Sequence, residues 1–79
     1  MDLLQLRYFY DSANSLSISK TAEKYRVPAS SVSASVRRLE RELGVKLFER
    51  SANRITLNQK GAVVRDSLER VFGEPFWEL

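Results

Sequence analysis

The chain has 79 residues, 43% hydrophobic and 29% charged, which suits one small globular domain and argues against a disordered tract. Cysteine and histidine are both absent, which excludes a disulfide frame, a thiolate metal site and the commonest general base and metal ligand. The formal net charge of +3 is uneven: Lys20 to Arg54 holds nine basic and four acidic residues, net +5, against −2 elsewhere, as suits a polyanionic partner or a solvated charged surface.

No apolar run approaches the roughly 18 residues that span a bilayer. The opening MDLLQLRYFY, with an acidic second residue and polar interruptions, does not read as a secretion signal. The expected location is the cytoplasm, with no membrane partner.

Asp2 precedes apolar residues at Leu3, Leu6, Phe9, Tyr10 and Ala13, a spacing that predicts a first helix over about 3–14. Leu16 is expected to anchor the following turn. Ser17 suits the N-cap of a second helix over 18–25, with Ala22 and Tyr25 inward and small residues at Thr21 and Ala22 for close crossing. Pro28 disfavours helix at Val27 and is tolerated at a helix start, so a third helix follows over 29–43. Val32, Val36, Leu39 and Leu43 make its apolar stripe, and Gly44 its C-terminal cap.

Past Gly44 the period changes. Residues 46–50 and 53–57 predict two short strands, with Ser51-Ala52-Asn53 as a tip that lacks the Asn-Gly signature of a tight turn. Asn58 suits the cap of a fourth helix over 59–72 with Val63, Val64, Leu68, Val71 and Phe72 apolar, and Gly73 and Pro75 stop it. The fold class is mainly α, with three helices, a short β-hairpin and a fourth helix. That order, with the second and third helices joined by a short turn, is a winged helix-turn-helix. It divides into the winged domain over 1–58, a linker or dimerisation helix over 59–72, and an irregular tail over 73–79.

In such a fold the third helix enters a major groove of DNA by its N-terminal end. With Val32 and Val36 inward, the opposite face shows Ala29, Ser30, Ser33, Ala34 and Arg37. Small side chains allow close backbone approach. Serine hydroxyls suit phosphate oxygens and alanine suits a thymine methyl. Serines that only cap the helix are the plainer reading, although four in six positions cost helicity. Arg37 and Arg38 would reach phosphate or the groove edge. Asn53 and Arg54 suit a wing in a minor groove, where arginine is held by negative potential, and Arg50 suits either that groove or a phosphate. Arg41 is expected to pair with Glu40, Glu42 or other surface acids. No spacing builds a catalytic centre, a metal site or a phosphate loop. The chain is therefore not expected to be an enzyme or to carry a cofactor.

From residue 3 to about 72 the chain resembles the N-terminal DNA-binding domain of LysR-type transcriptional regulators. The resemblance rests on LLQLRYFYDSANSLSISKTAEKY at the start. It continues through Val32, Ser33, Val36, Arg37, Leu39, Glu40, Leu43, Gly44, Leu47, Phe48 and Arg50, then Arg54, Leu57 and Gly61. It implies a DNA-binding regulator whose fourth helix pairs two subunits through Val64, Leu68, Val71 and Phe72. A homodimer would then grip a two-fold-related site on double-stranded DNA, with Ser30, Ser33, Ala34 and Arg37 in the major groove, Asn53 and Arg54 in the minor groove, and Ser31, Arg38 and Arg50 on phosphates. The chain departs from the family at the start of the third helix. The family has Ser-Gln-Pro and a second glutamine six positions after the first; here stand Pro28, Ala29 and Ser30, then Ser35. Those glutamines are the family's expected adenine readers. In the family a ligand-sensing domain follows the fourth helix, and these 79 residues hold no counterpart, so no small-molecule ligand is expected in this chain. A second expectation follows: a sensor-less dimerising protein that interferes with full-length regulators, or binds DNA with low specificity.

Overall fold

The computed structural model describes residues 1–52 and 54–73. The elements run α1 (Leu3–Ser15), α2 (Ile18–Tyr25), α3 (Ala29–Leu43), β1 (Phe48–Ser51), β2 (Arg54–Leu57) and α4 (Gln59–Phe72). This is the expected winged helix-turn-helix. The expectations for Asn53 and for the tail from Glu74 onward lie outside the described residues.

Side-chain caps set three of the helix starts. Asp2 accepts the N–H of Gln5 at 2.8 Å, Ser17 that of Lys20 at 3.1 Å, and Asn58 that of Gly61 at 2.7 Å, each satisfying an N–H with no intrahelical partner. Pro28 starts α3 with no side-chain cap bond. Left-handed residues end the first three helices: Leu16 (φ 54°), Arg26 (φ 56°) and Gly44 (φ 74°). Leu16 does not anchor the turn through the core. It is 49% exposed, and Ser15 holds the turn instead, its hydroxyl accepting the Ser17 N–H at 3.2 Å.

The core gathers Tyr8, Phe9 and Ala13 of α1, Ala22 of α2, Val32, Val36 and Leu39 of α3, and Leu47 and Phe48 of the wing. The rings of Phe9 and Phe48 pack at 5.4 Å, joining the first helix to the wing. Helix α1 is rolled from the face its apolar residues suggested. Leu3 is 65% exposed, while Gln5 and Ser12 are buried. Each side chain makes a hydrogen bond that offsets part of the cost of burial, although the Gln5 amide oxygen is buried with no partner among the described residues. The hydroxyl of Ser12 donates to that of Thr21 at 2.9 Å, and the Gln5 amide donates to the Ser35 carbonyl of α3 at 3.2 Å. Tyr25 is half-buried, its ring edge-on to Tyr8 at 5.1 Å.

The strands pair antiparallel from Phe48↔Leu57 to Ser51↔Arg54, leaving a two-residue tip without an Asn-Gly pair. Ala52 takes the positive φ (54°) that a tight hairpin requires. The first strand begins at Phe48, two residues later than its composition suggested, because the preceding backbone is otherwise engaged. The Leu47 N–H donates to Glu40, the Lys46 carbonyl accepts from the Asn58 amide, and the Leu47 carbonyl accepts the Asn58 N–H.

Candidate nucleic-acid interface

The site is built from α3 upward. Burying Val32, Val36 and Leu39 turns the helix so that Ser30, Ser31, Ala34, Arg37 and Arg38 are exposed. Ser33 lies half-buried between this surface and the wing, and its hydroxyl accepts from the Arg50 guanidinium at 3.4 Å. That contact brings the N-terminal half of α3 and the base of the hairpin onto one surface. Arg54 is exposed at the start of β2, opposite Ser51. Ser30, Ser33, Ala34, Arg37, Arg50 and Arg54 therefore all lie on α3 or the wing.

Arg38 belongs to a different side of α3. It lies one turn before Glu42, whose carboxylate accepts from the Met1 ammonium at 2.5 Å. That ammonium first, then the Gln5 side chain, and Arg38 by its charge, hold the Glu42 carboxyl below its ordinary range.

Between α3 and β1 runs an open cleft of about 560 Å³, floored by Gly44, Val45 and Phe48 and walled by Arg37, Arg41, Lys46 and Arg50. Two acids also line it. Glu40 accepts the backbone N–H groups of Leu47 (2.7 Å) and Phe48 (3.2 Å), and Glu49 accepts from the Asn58 amide at 3.3 Å. Among the described residues none of the four cations makes an ion pair. This corrects the expectation for Arg41: both acids proposed as its partners, Glu40 and Glu42, are engaged elsewhere. A periodicity signal did mark Arg41, since positions 30, 34, 37 and 41 fall on one stripe of a 3.6-residue helix. Lys46 carried no such signal, because only the folded wing brings it opposite that stripe.

Helix α4 divides the four residues expected to pair subunits. Val64 and Leu68 are half-buried against the chain's own core. Phe72 packs on Tyr10 at 5.3 Å and beneath the Arg7 guanidinium at 4.7 Å. Val71 is 46% exposed, and Val63, nearer the helix start, is 62% exposed. Among the described residues no helix is long and apolar enough to cross a membrane, and no cluster of acids gathers as a metal site.

Residues 3–62 match the family described as bacterial regulatory helix-turn-helix protein, lysR family. Among curated relatives, the HTH-type transcriptional regulator BsdA of Bacillus subtilis (strain 168) is 41% identical over 64 residues, covering 80% of this chain and 22% of the relative. The regulator TfdS of Cupriavidus pinatubonensis is 34% identical over 71 residues, covering 90% of this chain and 24% of the relative. The chain thus spans under a quarter of the length of these relatives. Two solved structures of DNA-binding domains in complex with DNA superpose closely. CbnR does so with a TM-score of 0.85 at 29% identity, covering 92% of this chain and 84% of that one. BenM on catB site 1 DNA gives 0.85 at 27% identity, covering 92% and 81%. The chain belongs to the LysR family of bacterial regulatory helix-turn-helix proteins, and its fold is that of the family's winged-helix DNA-binding domain.

Proposed function

We propose that this chain binds double-stranded DNA as the DNA-binding module of a cytoplasmic transcriptional regulator, acting as a homodimer on a two-fold-related site. The observation that carries the reading is the Ser33–Arg50 contact, which joins the exposed half of α3 to the wing on a surface where, among the described residues, Arg37, Arg50 and Arg54 make no ion pair. The likeness to CbnR and BenM domains held on DNA supports it. In this reading Ser30, Ser33, Ala34 and Arg37 face the major groove. Arg54, with Asn53 beside it in the sequence, enters the minor groove. Ser31, Arg38 and Arg50 hold phosphates. Residues 1–58 form the DNA-binding unit and residues 59–72 the linker helix. Pairing uses the outward edge of α4, Val71 with the exposed margins of Val64 and Leu68, while Phe72 props that helix on α1. No catalytic step, metal, cofactor or small-molecule ligand enters the proposal.

The test is selection from random duplex DNA at near-physiological salt. A two-fold-related motif is the expected result, and failure to retain any duplex even at low salt contradicts the reading. A second reading rests on the short exposed side chains Ala29, Ser30, Ser31 and Ala34, none of which makes a paired hydrogen bond to a base. In it the chain binds with low specificity, or pairs with full-length relatives and disables them. Mass measurement of a mixture with a full-length homologue decides; homodimers alone argue against interference.

A further inference from the structure

We propose that the cleft between α3 and β1 is a phosphate site for the DNA strand, with Arg41 and Lys46 as its ligands. The proposal rests on the DNA-binding reading and extends the contact surface beyond the residues assigned to either groove.

Side chains of Arg37, Arg41, Lys46 and Arg50 line one open concavity of about 560 Å³. Four like charges around one cleft repel one another, so folding alone does not favour the arrangement. The two acids in the lining offset only half of that charge, and each is held by other donors. Glu40 is held by the N–H groups of Leu47 and Phe48, and Glu49 by the Asn58 amide. Glu42, the third acid near Arg41 in sequence, is paired with the Met1 ammonium. The net cationic cleft is thus a consequence of hydrogen bonds that hold the wing and cap α4.

Position then selects the ligand. Arg41 continues the helical stripe of Ser30, Ala34 and Arg37, about 16 Å along the axis from Ser30 at 1.5 Å per residue. Arg50, which lines the cleft, also bonds Ser33 in the N-terminal half of α3. A duplex engaged by that half and by the wing has a strand running between its two grooves. The cleft, opening between the same two elements, offers that strand four cations against two acids, Glu40 and Glu49. Flexible cations of this kind suit a phosphate diester, which asks for charge rather than fixed geometry.

The test compares the chain with Arg41→Gln, Lys46→Gln and the double variant, measuring duplex affinity across a salt series. Both side chains are exposed, so the variants are expected to fold, and circular dichroism checks this. Arg70→Gln, on α4 away from the cleft, controls for net charge. Each lost phosphate contact should reduce the slope of log K against log salt by about 0.9, which is about eightfold in affinity at 0.1 M salt, and the double variant should lose about sixtyfold. A double variant that keeps the parent slope and affinity overturns the proposal while leaving the DNA-binding reading intact. If the parent chain holds no duplex, the DNA reading fails by itself. Titration with inorganic tripolyphosphate, followed by amide NMR, then decides the site: shifts across residues 44–50 that the double variant loses keep a phosphate site without DNA, and no shifts overturn it.

Discussion

Glu40 of α3 accepts the backbone N–H groups of both Leu47 and Phe48, at 2.7 and 3.2 Å, and so fixes the start of the wing to the helix proposed to enter the groove. The bond has two consequences. It orients β1 so that Arg50 meets Ser33, and it turns the Glu40 carboxylate toward the wing, with no ion pair to Arg41 among the described residues. Replacing Glu40 with Ala strands two amide donors and should cost about 2–3 kcal/mol of stability by urea unfolding. Glu40→Gln keeps an uncharged acceptor and should cost less. Equal, negligible losses would show that the wing is held by packing of Leu47 and Phe48 alone.

Gly61 is where α4 passes closest to the wing. A Cβ there would overlap the Leu47 carbonyl oxygen and lie 2.6 Å from Leu57 Cδ1. The carbonyl is backbone, already accepting from Asn58, and cannot turn aside. Gly61→Ala should therefore destabilise by about 1–3 kcal/mol, as overpacking does, despite alanine's better helix propensity. A thermal midpoint at or above that of the parent chain would refute this packing.

Arg26 caps α2 in the left-handed conformation, φ 56° and ψ 47°, with its side chain exposed. That conformation costs a residue with a Cβ about 1–2 kcal/mol, whereas glycine gives back about 0.5–1 kcal/mol through the freedom of the unfolded chain. Arg26→Gly should raise stability by roughly 0.5 kcal/mol on balance. A loss of stability would mean that the arginine side chain makes a contact worth more than the strain.

Tyr25 donates to the Asp11 carboxylate at 2.5 Å and accepts from Arg7 at 3.3 Å. Burial first, then the bond to Asp11, raises its phenol above the ordinary value. The folded chain keeps this proton at a pH where the unfolded chain has lost it. Its contribution to stability is whole below about pH 10, the unfolded value, and falls as pH rises from there through the higher folded value. Tyr25→Phe should reduce the alkaline loss of stability, measured by urea unfolding between pH 9 and 11. An identical slope in parent and variant would contradict the shift.

Local chemistry made the elements legible. Caps at Asp2, Ser17, Asn58 and Gly44, with Pro28 as a break, mark helix ends by satisfying specific backbone groups, and α2, α3 and α4 span the expected residues. What local pattern could not supply was which side of each helix the rest of the chain would cover. Leu3 counted as inward by periodicity, yet Gln5 and Ser12 take the buried face because Ser35 and Thr21 offer them partners from other helices. Val64 and Leu68 share an apolar stripe with Val71, and that stripe does not reveal that they pack in part against the chain's own core. In the candidate site, Ser33 and Arg50 were each legible by type, while their contact, and the vacancy beside Arg41, depend on tertiary hydrogen bonds made by Glu40 and Glu42.

In the proposed function, α3 and the wing form one DNA-binding face. The most direct measurement is the amide NMR spectrum of the isotope-labelled chain titrated with a duplex carrying the selected motif. The largest shifts are expected at Ala29–Arg37, Arg50 and Arg54, with small shifts at Ile18–Lys20 and Arg65–Glu69. Large shifts confined to α4 and the start of α1, with α3 and the wing unmoved, would contradict it.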